Sequence, residues 1–438
     1  MPQLIPPPEL LSLLQWFSPC FTGPSFAYFV NFVVCLIADL GRVTSTTVYR
    51  TSPGHRHWTN YSRFLAHYRW SVQALSARLL ALLIQHCGLW LDDQGRQRLC
   101  LVLDETIVGK SSRRMFGVAW QRNTHGGCCR GTHILGHYWL MLGLLIHFGG
   151  RSLCFPLAFR LYRQKKRCPE EEYQTPCQVA LALLESLSWP NAPDLVRTVI
   201  ADAGFADKEL LRWCAAHDFV AIVRGRIDAQ VHDLYVQQPN PRRGRPRKYG
   251  QRISLLEYAR EERHFTQTIE LYQNRTTVQV ASLVGLHRAS GLPLRLVILR
   301  CEGKPDMVVM SLDLSLTPRE VASLYADRGT IEMTFRELKQ HFGLGHYQAR
   351  VPQAMLRHVH LSGLACALTQ LLTLCPPQAG FAGGRLTWRP RPWRRRQTPI
   401  SVHETQLLLR LACQVQGTFE PVPVPTAHHK KNKRACSA

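Results

Sequence analysis

Three acidic residues stand where carboxylates can do chemistry. Asp104 closes an apolar run, Leu101-Val-Leu-Asp-Glu-Thr106, and Asp202 closes another, Val199-Ile-Ala-Asp-Ala-Gly-Phe205. Both runs read as buried strands, and the carboxyl ends of strands are where α/β sheets build their sites. The third is Glu332, in Tyr325-Ala-Asp-Arg-Gly-Thr-Ile-Glu-Met-Thr-Phe-Arg-Glu-Leu-Lys339. Read as one helix at about 100° per residue, Tyr325, Arg328, Glu332 and Lys339 fall within a sector of roughly 60°. Leu324, Ile331, Phe335, Leu338 and Phe342 form the adjacent apolar sector, suited to lie on a sheet. Taken singly, each aspartate reads first as a helix N-cap or turn residue. The helix alone reads as a solvated one with i,i+4 charge pairs. Taken together, the three carboxylates can gather at one sheet edge. Three hard oxygen donors suit Mg²⁺ or Mn²⁺. Two such ions about 4 Å apart stabilise the attacking and leaving oxygens of a phosphoryl displacement.

That gathering requires a sheet and a helix behind it, and the chain patterning supplies both. Arg98–Val108, Tyr138–Phe148 and Leu153–Leu161 read as three strands, the last two joined by Gly149-Gly150. A helix at Val179–Leu187, a strand at Val196–Ala201, a helix at Lys208–His217 and a strand at Phe219–Val223 follow. Strands first and alternation afterwards predict a mixed α/β sheet flanked by helices. Residues 225–318 interrupt it with a basic linker, 239–250, and β-rich runs at Thr266–Tyr272, Thr277–Leu283 and Leu294–Leu299. A single helix over Pro318–His341 and an apolar helix over Val359–Leu374 then resume the α/β pattern. The expected organisation is a helical N-terminal DNA-binding domain (1–95), a core in two parts (96–224 and 319–375), a β-rich insertion subdomain (225–318), and a basic linker, short helix and disordered tail (376–438).

Composition narrows the partners. Lys plus Arg is 54 against 30 for Asp plus Glu, a net charge of +24 that calls for a polyanion. Nucleic acid comes first, an anionic membrane surface second, a ribosome-type structural role third. The apolar runs Phe26–Leu36 and Tyr138–Phe148 fall short of the ~20 residues of a spanning helix. The start Met1-Pro2-Gln3 lacks the basic opening of a secretory signal. The fifteen cysteines form no C-x-x-C pair, and many sit in apolar runs, as for a reduced cytosolic protein.

The spacing Tyr325-x₂-Arg328-x₃-Glu332-x₆-Lys339 resembles the signature of a group of bacterial insertion-sequence DDE transposases. Asp104-Glu-Thr106 is similar to that group's first aspartate context, and Asp202-Ala-Gly-Phe205 to its second. Gly136-His137-Tyr138-Trp139 resembles a segment that follows the first strand in related sequences. The resemblance covers roughly residues 95–375. It implies an RNase H-like fold with a β insertion between the second Asp and the Glu. It also implies two Mg²⁺ (or Mn²⁺) ions on Asp104, Asp202 and Glu332. Arg328 and Lys339 would then contact DNA phosphate near the cut, and Tyr325 would hydrogen-bond phosphate at the transposon end. The implied activity is cleavage at terminal inverted repeats and strand transfer into target DNA, by a cytoplasmic, nucleoid-associated protein that dimerises on DNA. Some relatives hold a flipped base on an inserted Trp. Residues 225–318 contain none, leaving Tyr258, Phe265 or Tyr272 to stack.

Other segments bear on DNA contact. Arg50–Arg63 mixes bases, aromatics and hydroxyls, as a phosphate-contacting stretch or a solvated loop does. Pro241-Arg-Arg-Gly-Arg-Pro-Arg-Lys248 resembles an AT-hook, in which Arg243, Arg245, Arg247 and Lys248 would enter an A·T minor groove. A flexible linker that binds backbone is the alternative. Arg394–Arg396 beside Trp388 and Trp393 reads as a backbone-tracking cluster or a solvated linker. His125-Gly-Gly-Cys128-Cys129-Arg-Gly-Thr-His133 to His137 matches zinc spacing poorly and reads as a loop. Two alternatives to the transposase stay open: an inactive or domesticated DNA-binding protein, and another RNase H-like nuclease such as a junction resolvase.

Overall fold

The structure is a computed structural model that describes residues 3–38, 41–54, 57–122, 132–234, 249–271, 276–378, 380–381 and 399–416. Helices come first: α1 (Pro8–Gln15), α2 (Gly23–Ala38), α3 (Ser45–Thr51), α4 (Thr59–Ala66) and α5 (Val72–Cys87). Strands β1 (Trp90–Leu91), β2 (Gln97–Gly109), β3 (Ala119–Arg122), β4 (His133–Phe148) and β5 (Arg151–Tyr162) follow. Gly149 and Gly150, at φ 56° and 73°, make the tight β4–β5 turn. Positive φ at both central residues is what such a two-residue hairpin needs. Then come α6 (Pro176–Glu185), β6 (Leu195–Ala201), α7 (Lys208–Ala216) and β7 (Phe219–Gly225).

These strands run β5-β4-β2-β6-β7 across the sheet, with β4 antiparallel to its neighbours and β6 and β7 parallel to β2. Three antiparallel strands followed by two parallel crossovers is the RNase H-like order, as expected. Residues 99–103 on β2 and 199–201 on β6 are wholly buried. That explains their unbroken apolar composition, since a central strand is covered on both faces.

The interrupting segment contains β8 (Val231–His232), β9 (Arg252–Ile253), α8 (Leu255–Arg260), β10 (Phe265–Leu271), β11 (Thr276–His287), β12 (Leu292–Arg300) and β13 (Met307–Ser311). It does not start a new sheet. β13 pairs antiparallel with β7, β12 with β13, and β11 with β12, so the insertion prolongs the core sheet beyond β7.

Two short helices, α9 (Pro318–Asp327) and α10 (Thr330–Gln340), replace the single helix expected over 318–341. Between them, Arg328, Gly329, Ile331 and Glu332 N–H groups bond three residues back instead of four. The backbone stays right-handed but tightens by a 3₁₀ turn. Gly329 is a poor helix former, and the Thr330 hydroxyl bonds the Asp327 carbonyl at 2.7 Å. The equal-step phase used to align Tyr325 with Glu332 therefore does not hold across the break.

Helix α11 (Pro352–Leu374) begins seven residues before its expected start. It is buried on nearly every side, and it crosses β5 so closely that a Cβ on Gly363 would sit 2.6 Å from Phe159 Cε2. Its buried Arg357 donates to the Phe64, Leu65 and Trp70 carbonyls, tying α11 to the N-terminal helices. Helix α12 (Val402–Gln416) joins the same layer, with Gln406 donating to the Ile37 and His341 carbonyls. Among the described residues no helix is long and apolar enough to cross a membrane, and no cysteine is paired in a disulfide.

Candidate active site

β2 and β6 pair in register up to Leu103 and Ala201, so Asp104 and Asp202 lie side by side just past the last paired residues. Asp202 follows the end of β6, whereas Asp104, expected to close its strand, lies within β2, which continues to Gly109 beside β4. The α9–α10 junction lies over this edge. Arg328 Nη1 donates to Asp104 Oδ2 at 3.0 Å, and its Nη2 lies 3.6 Å from Glu332 Oε1. The buried Tyr325 hydroxyl donates to Asp202 Oδ1 at 3.0 Å. Five of the expected residues thus share one site: Asp104, Asp202, Tyr325, Arg328 and Glu332. The 3₁₀ turn delivers Arg328 between the two aspartates rather than onto a common stripe with Tyr325.

The electrostatics are lopsided. Burial, then the neighbouring charges of Glu105 and Asp202, pushes Asp104 up to about 6 despite Arg328. Burial also raises Glu105, whose carboxylate accepts a hydrogen bond from Tyr138. Asp202 moves the other way. Burial opposes it, but the Ala203 N–H, Arg328, Tyr325 and Arg224 together hold it below the usual carboxylate range. Burial raises Tyr325, which stays a neutral donor. Glu105, Tyr138 and Arg224 were not anticipated. The signal for Glu105 was its adjacency to Asp104, and for Arg224 its place at the end of the third parallel strand.

Four carboxylates (Asp104, Glu105, Asp202, Glu332) therefore meet two guanidiniums (Arg224, Arg328). The upward shift of Asp104 comes first from burial, which Arg328 only partly offsets. Arg328 Nε is buried and has no hydrogen-bond partner. Oxygen donors with excess negative charge suit a hard divalent cation. As the side chains stand, no three His, Cys, Asp or Glu among the described residues gather at ion-holding distance. Glu332 is turned outward, its side chain 66% exposed, and completing the set requires its rotation.

The remaining candidates lie elsewhere. Lys339 is exposed on α10, about 10 Å along the axis from Glu332. Arg243, Arg245, Arg247 and Lys248, the Cys128-Cys129 loop, Tyr272, Trp388, Trp393 and Arg394–Arg396 fall outside the described residues. His137 is no metal ligand. Burial holds it neutral, down to about 4, with Nε2–H donating to the Phe116 carbonyl and Nδ1 accepting from the Tyr347 hydroxyl. Of the aromatics weighed for base stacking, Tyr258 lies flat on His264 at 3.6 Å and Phe265 lies under Arg300 at 3.9 Å. In the stretch Arg50–Arg63, Tyr61 is buried in an aromatic cluster with Tyr28 and Phe32, whereas Trp58 is 54% exposed.

Comparison with known proteins adds a family. The family model described as "DDE superfamily endonuclease" matches residues 17–287, which include Asp104 and Asp202 and end before Glu332. No curated protein matches the chain. Among solved structures, a cryo-EM structure of piggyBac transposase synaptic complex with hairpin DNA is similar at 11% identity. It covers 90% of this chain and 73% of its own, at a TM-score of 0.41.

Proposed function

The chain belongs to the DDE superfamily of endonucleases, and on that premise we propose that it is a DNA transposase that cleaves at transposon ends and joins them to target DNA. The observation that carries this reading is the juxtaposition of Asp104 and Asp202 just past the last register-matched pair of β2 and β6, with Arg328 bonded to Asp104 and reaching Glu332.

Asp104, Asp202 and Glu332 would hold Mg²⁺ or Mn²⁺, two ions per site, which when bound stabilise the attacking and leaving oxygens of a phosphodiester. The chain's own residues prepare for this. Tyr325 fixes the rotamer of Asp202 through its hydroxyl. Arg328 offsets the negative charge of Asp104 through its Nη1 bond and reaches Glu332 through Nη2. Water attacks first, and the freed 3′-OH then attacks target DNA, so no covalent protein–DNA link is needed. The excess of basic residues attracts the duplex. The Tyr325–Lys339 spacing supports the insertion-sequence group with the Tyr-Arg-Glu-Lys signature. That group implies a dimer on paired ends and a cytoplasmic, nucleoid-associated location.

One observation favours a second reading, an inactive or domesticated DNA-binding protein: Glu332 points away from the two aspartates. Incubating the protein with DNA carrying the element's inverted repeats separates the two. The transposase gives Mg²⁺-dependent nicks at the repeat ends and joined products. The binding protein gives a shifted complex with intact DNA.

A further inference from the structure

A pocket of about 510 Å³ opens where β2 ends, far from the carboxylates. Arg42, Lys110, Ser111, Ser112, Tyr347 and Arg350 line it, and no acidic residue does among the described ones. Lys110 is held from three sides. Its Nζ donates to the Gly345 carbonyl at 2.7 Å and the Tyr347 carbonyl at 3.0 Å, and it lies over the Tyr347 ring.

The ring is itself fixed. Trp139 Nε1 donates to the Tyr347 hydroxyl at 2.9 Å, and that hydroxyl bonds His137 Nδ1 at 2.7 Å. The Gly136-His137-Tyr138-Trp139 segment thus builds this pocket through His137 and Trp139, while Tyr138 serves Glu105. On the other wall, the Val43 N–H next to Arg42 donates to His346 Nδ1 at 3.0 Å.

Among the described lining residues no carboxylate offsets the pocket's positive charge. Burial, then the charge of Arg42, drives the Lys110 ammonium down to about 7. A preorganised ammonium, two guanidiniums and two hydroxyls match a tetrahedral oxyanion with several acceptor oxygens. Six residues of extended chain separate Lys110 from Asp104, a span of ~20 Å. At ~3.4 Å per nucleotide along one strand that is about six nucleotides.

We propose that this pocket seats one backbone phosphodiester of bound duplex DNA, about six nucleotides from the cleavage position. The proposal rests on the reading of the chain as a DNA transposase. It makes the pocket an anchor that sets where the duplex enters the site.

The test uses the full-length protein and a nonspecific duplex of about 40 base pairs, with affinity followed by fluorescence anisotropy from low to high salt. Two variants are compared with wild type: Arg42→Ala/Arg350→Ala, which removes two exposed side chains, and Lys110→Met. Arg226→Ala, on the insertion, is the control, and circular dichroism checks folding. Each pocket variant is expected to weaken binding about tenfold at 0.1 M salt and to reduce the salt slope by about one. Wild-type affinity and slope in the folded double variant would overturn the pocket while leaving the transposase reading intact. A wild-type protein that fails to bind duplex at all would overturn that reading, and the pocket with it.

Discussion

Arg328 Nη1 lies 3.0 Å from Asp104 Oδ2, although 224 positions separate the two residues in the chain. The contact joins the α9–α10 turn to the middle of β2, and both side chains are largely buried. It links the helical signature directly to the first aspartate.

Removing the guanidinium strands a buried carboxylate that already titrates at about 6. Arg328→Ala should therefore lower stability by ~1–3 kcal/mol at pH 8, and by less at pH 5. The sign follows from linkage. A carboxyl whose folded pKa exceeds its unfolded value of 3.8 binds its proton more tightly in the folded state, so stability falls as pH rises through that interval. Losing Arg328 widens the interval. Urea unfolding at the two pH values checks this, and an equal loss at both would count against it.

Tyr325→Phe keeps the buried ring and deletes only the bond to Asp202. Stability should fall by about 1 kcal/mol. Mg²⁺-dependent cleavage should fall on the order of tenfold, with a higher Mg²⁺ concentration needed for half-maximal rate, as when a ligand loses its orienting partner. An unchanged Mg²⁺ dependence would mean that the hydroxyl does not position Asp202.

Glu337, on α10, is pushed by burial from 4.5 up to about 7, despite long contacts from Gln370 and Cys366 and the charges of Arg151 and Arg336. Its folded pKa is raised, so it favours folding below about 4.5 and progressively disfavours it as pH rises through 7. Glu337→Gln should raise the melting temperature at pH 8 and leave it nearly unchanged at pH 4.5. A parallel shift at both would contradict the assignment.

Arg98 is fully buried at the start of β2, where it bonds Asp92 at 3.0 Å and also Asp313, just past β13. The same corner holds the start of α9, because Glu320 accepts from the Asp93 N–H at 2.8 Å. Arg98→Met should cost about 1–3 kcal/mol, because Asp92 and Asp313 lose their buried partner but keep the partly exposed Arg96. A chemical-denaturation midpoint equal to wild type would refute this clamp between the insertion and the helix carrying Tyr325.

The strands bearing Asp104 and Asp202 were legible because a central parallel strand must be apolar on both faces, which leaves a carboxylate that closes the apolar run conspicuous, although β2 itself continues past Asp104 to Gly109. Three strands preceding the alternation indicated a mixed α/β sheet, and the RNase H-like order was implied only by the family resemblance. The break at Gly329 was not legible from periodicity, which assumes equal steps, although Gly next to Thr is a local reason for a tightened turn. Helix α11 was read short because Arg357 and His358 look like surface residues. Both find buried carbonyl partners that only the tertiary fold supplies. The pocket around Lys110 was invisible in sequence, since Arg42, Lys110 and Tyr347 come from three distant segments.

The most direct measurement is cleavage of end-containing DNA in Mg²⁺ by Asp104→Asn, Asp202→Asn and Glu332→Gln, with DNA binding followed in parallel. Each variant should bind DNA like wild type and lose cleavage by ~10³-fold or more, since a carboxylate that holds metal cannot be replaced by a neutral amide without losing charge stabilisation. Wild-type cleavage by any one of the three would contradict the assignment of that carboxylate and, for Glu332, the completed three-acid site.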